Sequence, residues 1–266
     1  SEKEMSTVRE DRLQELVLER VAAVDVIKKW GTAGRAGDDD SLYEHDSRFT
    51  TSGAGRMAAV IECVPNCSEG RRKDDDEKIV SSRGSVPGIK VLDVESDPDH
   101  NRSVVTFTGN KESVQESAFR GARAAMELID LTKHKGEHPR MGALDVLPFV
   151  PVSGATMDDC VEIANRVGAR IARHLKIPVY LYEAAAKRPE RRNLEAVRKG
   201  QFEGLREAIL TDNSRYPDFG PRALHPTAGA TAVGARMPLI AFNVNLRSED
   251  VEVAKAIAKK IRASSG

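Results

Sequence analysis

The stretch 156-TMDDCVEIANRVGARIARHLKIPVYLY-182 most constrains what this chain can fold into. Ile163, Val167, Ile171 and Leu175 recur at four-residue intervals, which places them on one face of a helix. Thr156 with Asp159 three residues on is a capping-box variant that opens it, and Pro178 stops it. The β-branched and aromatic run 178-PVYLY-182 then reads as a strand. A one-faced helix feeding a strand directly asks for helices layered on a sheet.

The chain upstream repeats that alternation. Segment 58-AAVIECVP-65 is a short apolar strand closed by Pro65 and the turn-prone Asn66. A polar helix follows over 74–83, then strands at 89-IKVLDVE-95 and 103-SVVTFTG-109. A helix over 111–131 carries Val114, Ala118, Ala122, Met126 and Ile129 at helical spacing. The run 143-ALDVLPFVPV-152 is extended, and its prolines argue for a strand that ends early or lies at an edge. The fold class expected is α+β, one mixed sheet with helices packed on one face. One more strand and helix, 238-PLIAFNVNL-246 and 249-EDVEVAKAIAKKIRA-263, follow near the end.

Ahead of these elements, residues 7–30 read as an amphipathic helix with Leu13, Val17, Val21 and Val24 on one face. Gly31 ends it, and the Gly-, Asp-, Ser- and Thr-rich stretch to Gly55 reads as a linker. Residues 1–57 are therefore expected to be an appendage to a compact domain, with Met57 as an ancestral start.

Lysine plus arginine and aspartate plus glutamate balance at 41 each, so the whole chain has no bias toward nucleic acid or an anionic membrane. Apolar runs such as 239-LIAF-242 are far too short to span a bilayer, and no basic-then-apolar leader stands at the amino end. Three cysteines, Cys63, Cys67 and Cys160, make no disulfide framework. A cytoplasmic setting is expected.

The segment 134-HKGEHPRMGALD-145 poses the chemical question. Its H-x-x-E-H order supplies two zinc ligands and a base in one class of peptidase, and that chelation needs both histidines one helical turn apart. Gly136 weakens a helix here, and Pro139 pushes His138 into an extended or turn conformation. A zinc hydrolase and a pair of solvated loop histidines both stay open on pattern alone. The run 229-GATAVGAR-236 has phosphate-loop glycine spacing without the Lys-Ser/Thr that such a loop needs. Segment 187-KRPERRNLEAVRK-199 holds six basic residues, a solvated helix face or a surface that steers a carboxylate-rich ligand.

Four blocks together, 62-ECVPNCSEG-70, 132-TKHKGEHPRMGALDVLPFVPV-152, 178-PVYLYEAAA-186 and 217-PDFGPRALHPTAGATAVGAR-236, resemble the glutamate formimidoyltransferase (formiminotransferase) family. The similarity runs from about Ala58 to Arg262. It implies a ferredoxin-like amino-terminal subdomain over 58–236 and the start of a second over 237–266, truncated relative to the family. The implied reaction moves a formimino group from N-formimino-L-glutamate to N5 of tetrahydrofolate, a step of histidine degradation, with tetrahydrofolate as co-substrate and no metal. By the resemblance the catalytic base falls on His138. The folate-binding stretch falls on Gly220, Pro221, Arg222, Ala223, Leu224, His225, Pro226, Thr227, Ala228 and Gly229, with Arg222 and His225 more basic than the family pattern. Asn66 and Glu69, in a loop at the family's active site, are further candidates, with an ordinary turn role open for each. Cys67 stands where the family carries a larger apolar residue.

The chemistry asks for such a histidine independently. An amine must lose a proton as it attacks the amidine carbon, and the departing glutamate nitrogen must gain one. Imidazole titrates where it can serve both steps. The expected partners are these small molecules and either a second copy of the chain or a complementing one, with neither nucleic acid nor membrane. The alternative is a non-catalytic folate- or partner-binding protein built on the same subdomain.

Overall fold

The computed structural model describes residues 59–239, 246–248 and 250–261. The expected helix at 7–30, the linker and most of the strand expected at 238–246 lie outside them. One compact unit ends at Pro238. Beyond it, helix α6 (Val251–Ile261) is described by itself.

The unit opens with β1 (Val60–Cys63) and β2 (Asn66–Cys67), followed by α1 (Lys73–Gly84). The hairpin β3 (Lys90–Asp97) and β4 (Arg102–Gly109) leads into α2 (Lys111–Leu128). Then come β5 (Leu144–Ser153), α3 (Met157–Leu175) and β6 (Val179–Glu183). Two short helices, α4 (Leu194–Arg198) and α5 (Gln201–Thr211), precede β7 (Thr231–Ala235).

β1 and β2 are two halves of one interrupted strand. Both pair antiparallel with β4 on one side and with β5 on the other. β3 extends the sheet beyond β4, antiparallel to it, and β7 and then β6 extend it beyond β5, both in parallel pairings. The strand order β3–β4–β1/β2–β5 and the helices α1 and α2 make the split β-α-β-β-α-β arrangement of a ferredoxin-like unit. The α+β class with a mixed sheet is as expected.

The main core lies between the sheet and α1, α2 and α3, and includes Ile61, Phe107, Val114, Leu147, Phe149 and Ile171. The expected capping box at α3 is present, with the Asp159 amide donating to Thr156 Oγ1 at 3.2 Å and the Thr156 amide donating to Asp159 Oδ2 at 2.8 Å. A second cluster covers part of the opposite face. There Val197, Leu205 and Ile209 of α4 and α5 pack on Val146, Tyr180, Tyr182 and Ala232. Helices therefore cover both faces at the β5–β7–β6 end of the sheet.

The expectation that this strand ends early or lies at an edge is corrected: β5 runs through both prolines to Ser153 and is central, paired on both sides. Its prolines sit where no ladder donor is missed. Pro148 turns its carbonyl toward Val64, which donates to it at 3.4 Å, at the gap where β1 gives way to β2. Its missing N–H faces the same gap. Pro151 lies opposite Ile61, next to a bulge at the Val60/Ile61 step.

Candidate active site

Three loops meet at one end of the sheet: residues 65–72, the 97–101 turn between β3 and β4, and the 131–143 segment before β5. Asn101 ties them together from a left-handed backbone conformation (φ 50°) that asparagine tolerates. Its Oδ1 accepts from the Gly70 amide at 3.1 Å, and its Nδ2 donates to the Lys135 carbonyl at 3.0 Å. A Cβ on Gly136 would collide with the His100 carbonyl, so glycine alone lets the third loop close onto the turn.

The H-x-x-E-H pentapeptide is not helical. His134 Nε2 lies 2.8 Å from the Asn101 carbonyl, and Nδ1 accepts from Arg140 Nε at 3.1 Å. Both ring nitrogens are engaged, the lone pair by a guanidinium, which leaves none for a metal. Arg140 is held in turn by Glu203, which takes two hydrogen bonds at 2.8 and 2.7 Å. Among the described residues no three His, Cys, Asp or Glu side chains gather as a metal site would require. His134 is a structural fastener.

His138 has different company. Its side chain is 7 % exposed, and Nε2 lies 3.5 Å from Asp145 Oδ2, near enough for strong electrostatic interaction and too far for a good hydrogen bond. Asp145 is fully buried. It is the extra residue of β5 opposite the Asn66–Cys67 step, since Asn66 pairs with Val146 and Cys67 with Leu144. That bulge releases its side chain from the ladder and aims it at the loop. Its Oδ1 accepts from the Met141 amide at 2.7 Å, and its Oδ2 accepts from Arg198 Nη2 at 2.5 Å. Burial alone would raise the Asp145 pKa, but His138, Arg198 and the Met141 amide outweigh it and hold the group ionised.

Burial likewise lowers the pKa of His138. Asp145 works against that shift, while Arg198 and Arg102 reinforce it. The outcome is a neutral imidazole beside an ionised carboxylate. Such a pair can take a proton from an attacking nitrogen and stabilise the imidazolium that results.

The 220–229 stretch divides. Its far end packs on the 131–143 segment: Leu131 N donates to the Thr227 carbonyl at 2.8 Å and Ala143 N to the Ala228 carbonyl at 2.9 Å. Gly229 (φ 68°) lets the chain approach so closely that any Cβ would strike the Met141 carbonyl. The His225 ring caps this turn, Nδ1 accepting from the Ala228 amide at 3.0 Å. Gly220, by contrast, lies against Ala172 and Pro178, and Arg222 lies over the Tyr216 ring. Ala223, Leu224, His225 and Pro226 line a groove of about 440 Å³ with Thr132, Arg206 and Leu210. His138 is not part of its wall.

Glu69 is a turn residue here. One carboxylate oxygen accepts from the amides of Gly70, Arg71 and Arg72 at 2.9–3.2 Å. Asn66 Nδ2 bonds the Val64 carbonyl at 3.2 Å, within the β1/β2 gap. Asp145, Arg198 and Arg102 escaped the sequence reading. The signal for Asp145 was a lone carboxylate inside an apolar run. Arg198, half-buried, stood in the basic 187–199 segment, where Arg191 proves buried, bound to Asp218 at 2.6 Å rather than solvated.

Residues 60–236 match the family described as "Formiminotransferase domain, N-terminal subdomain". The chain is 54 % identical over 210 residues to the glutamate formimidoyltransferase of Streptococcus pyogenes serotype M1, covering 79 % of this chain and 70 % of that one. It is 49 % identical over 210 residues to the glutamate formimidoyltransferase of Thermoplasma acidophilum, covering 78 % and 69 %. With the formimidoyltransferase-cyclodeaminase of Rattus norvegicus the identity is 50 % over 206 residues, covering 77 % of this chain but only 38 % of the longer protein. The chain belongs to the glutamate formimidoyltransferase family.

Proposed function

We propose that this chain transfers the formimino group of N-formimino-L-glutamate to N5 of tetrahydrofolate, with His138 carrying the proton. The observation that carries the reading is the His138–Asp145 pair: a neutral, buried imidazole facing an ionised carboxylate that arrives from a bulge. The names of the relatives agree with it. N5 attacks the amidine carbon and its proton passes to His138. The C–N bond to glutamate then breaks as His138 returns that proton to the leaving nitrogen. With Nε2 toward Asp145, Nδ1 is left for the reacting nitrogen. Tetrahydrofolate is the co-substrate, and residues 220–229 are its proposed contact. Their packing against the His138 segment supports that placement. The described unit then corresponds to the amino-terminal subdomain of such an enzyme, as the match over 60–236 suggests.

The test follows 5-formiminotetrahydrofolate by absorbance with the full chain. Removing the proton carrier in His138→Ala should cost about 10²- to 10⁴-fold in kcat, with tetrahydrofolate binding retained. A variant that turns over like the original would remove His138 from the chemistry.

A further inference from the structure

The guanidinium groups around His138 keep donors unspent. Arg198 gives one guanidinium nitrogen to Asp145, while its buried Nε has no partner. Arg102 lies on β4 next to the buried Ser103, so strand alternation turns it away from the α1–α2 core. Among the described residues it makes no ion pair. Its charge and that of Arg198 nevertheless act on one another and on His138. Asp145, Asp97 and Glu95 temper the charge of Arg102, yet among the described residues none forms an ion pair with it, so the two half-buried guanidinium groups keep N–H donors that no carboxylate takes.

We propose that Arg102 and Arg198 bind the α-carboxylate of the glutamyl donor and so deliver its formimino group to His138. This rests on the transfer reading above and adds how the donor is recognised. The donor is favoured by its connectivity. Its α-carboxylate is attached to the carbon that bears the formimino nitrogen, so a group that fixes one places the other. The carboxylates of tetrahydrofolate lie at the far end of that molecule from N5. A guanidinium also offers two parallel donors to a carboxylate, which fixes its direction as well as its position.

Steady-state kinetics of Arg102→Gln and Arg102→Lys, with each substrate varied in turn, test this. Arg102 has no partner to lose among the described residues, and unchanged circular dichroism would show that folding is intact. Losing a charge-assisted contact should raise the donor KM roughly 10- to 100-fold, leave the tetrahydrofolate KM within about twofold, and be partly rescued by lysine. An unchanged donor KM, or a rise confined to tetrahydrofolate, would overturn the proposal while leaving the transfer reading intact. Calorimetric titration with L-glutamate separates the two failures. If the chain shows no turnover at all, the transfer reading falls. The subsite then stands only if the original chain binds glutamate and Arg102→Gln does not.

Discussion

At the residue scale, His138 owes its properties to neighbours that are distant in sequence. The histidine itself was picked out by the family resemblance, while Gly136 and Pro139 argued only that it stands on a loop and not on a helix. Its partners were not. Asp145 is reached through a bulge that depends on a strand some 80 residues away, and no local pattern encodes a register shift. The dependence on Asp145 can be measured. In the intact protein the kcat/KM profile should lose activity only as pH falls below the ordinary histidine range, because burial holds the His138 pKa down. In Asp145→Asn the carboxylate that raises that pKa is gone, while Arg198 and Arg102 remain. The inflection should therefore move to still lower pH, and the plateau should drop at least about 10-fold as the imidazolium loses its counter-charge. An inflection that moves upward would contradict this arrangement.

At the scale of elements, periodicity placed the strands and the long helices, and failed where a partner's geometry decided. The prolines of β5 read as edge residues because a central strand ordinarily needs every N–H. Nothing local reveals that β1 breaks opposite Pro148. The packing of α1 on α2 holds a similar surprise. Arg83 is wholly buried, with Nε and Nη1 unpartnered and Nη2 only 3.5 Å from Cys67 Sγ. Gly121 of α2 makes room for it, since a Cβ there would sit on the guanidinium. Alanine is worth about 1 kcal/mol more than glycine in a helix, but overpacking a core costs about 1–3 kcal/mol, so Gly121→Ala should destabilise on balance. Arg83→Met should be neutral or stabilising, because it removes a buried, poorly paired charge. In that background Gly121→Ala should turn stabilising. Urea denaturation of the four proteins gives the coupling, and equal costs in both backgrounds would show that the guanidinium can move aside.

At the scale of the whole unit, the loops that build the site are also where acid should open it. His134, His138 and His225 lie in the segments that meet there, and burial lowers the pKa of each. Their unfolded counterparts titrate near about pH 6.5. As pH falls through that value the unfolded chain takes up protons that the folded chain refuses, so the unfolded state gains. The stability they confer is therefore complete above the unfolded pKa and is lost as pH falls toward the lower folded values. The buried carboxylates Glu69 and Asp145 have lowered pKa values too, but their contribution is lost only below the ordinary carboxylate range, near about pH 4. Asp76, whose pKa is raised by burial, gains stability as pH falls and so works in the opposite direction. A fall in the urea midpoint between about pH 7.5 and about pH 5.5 would thus report the histidines. Amide exchange should locate the loss, rising first in residues 131–143, whose backbone leans on the 97–101 turn and on Thr227 and Ala228. A midpoint that stays level across that range would mean that these rings are accommodated as well charged as neutral, and His138 would then not be poised as a base.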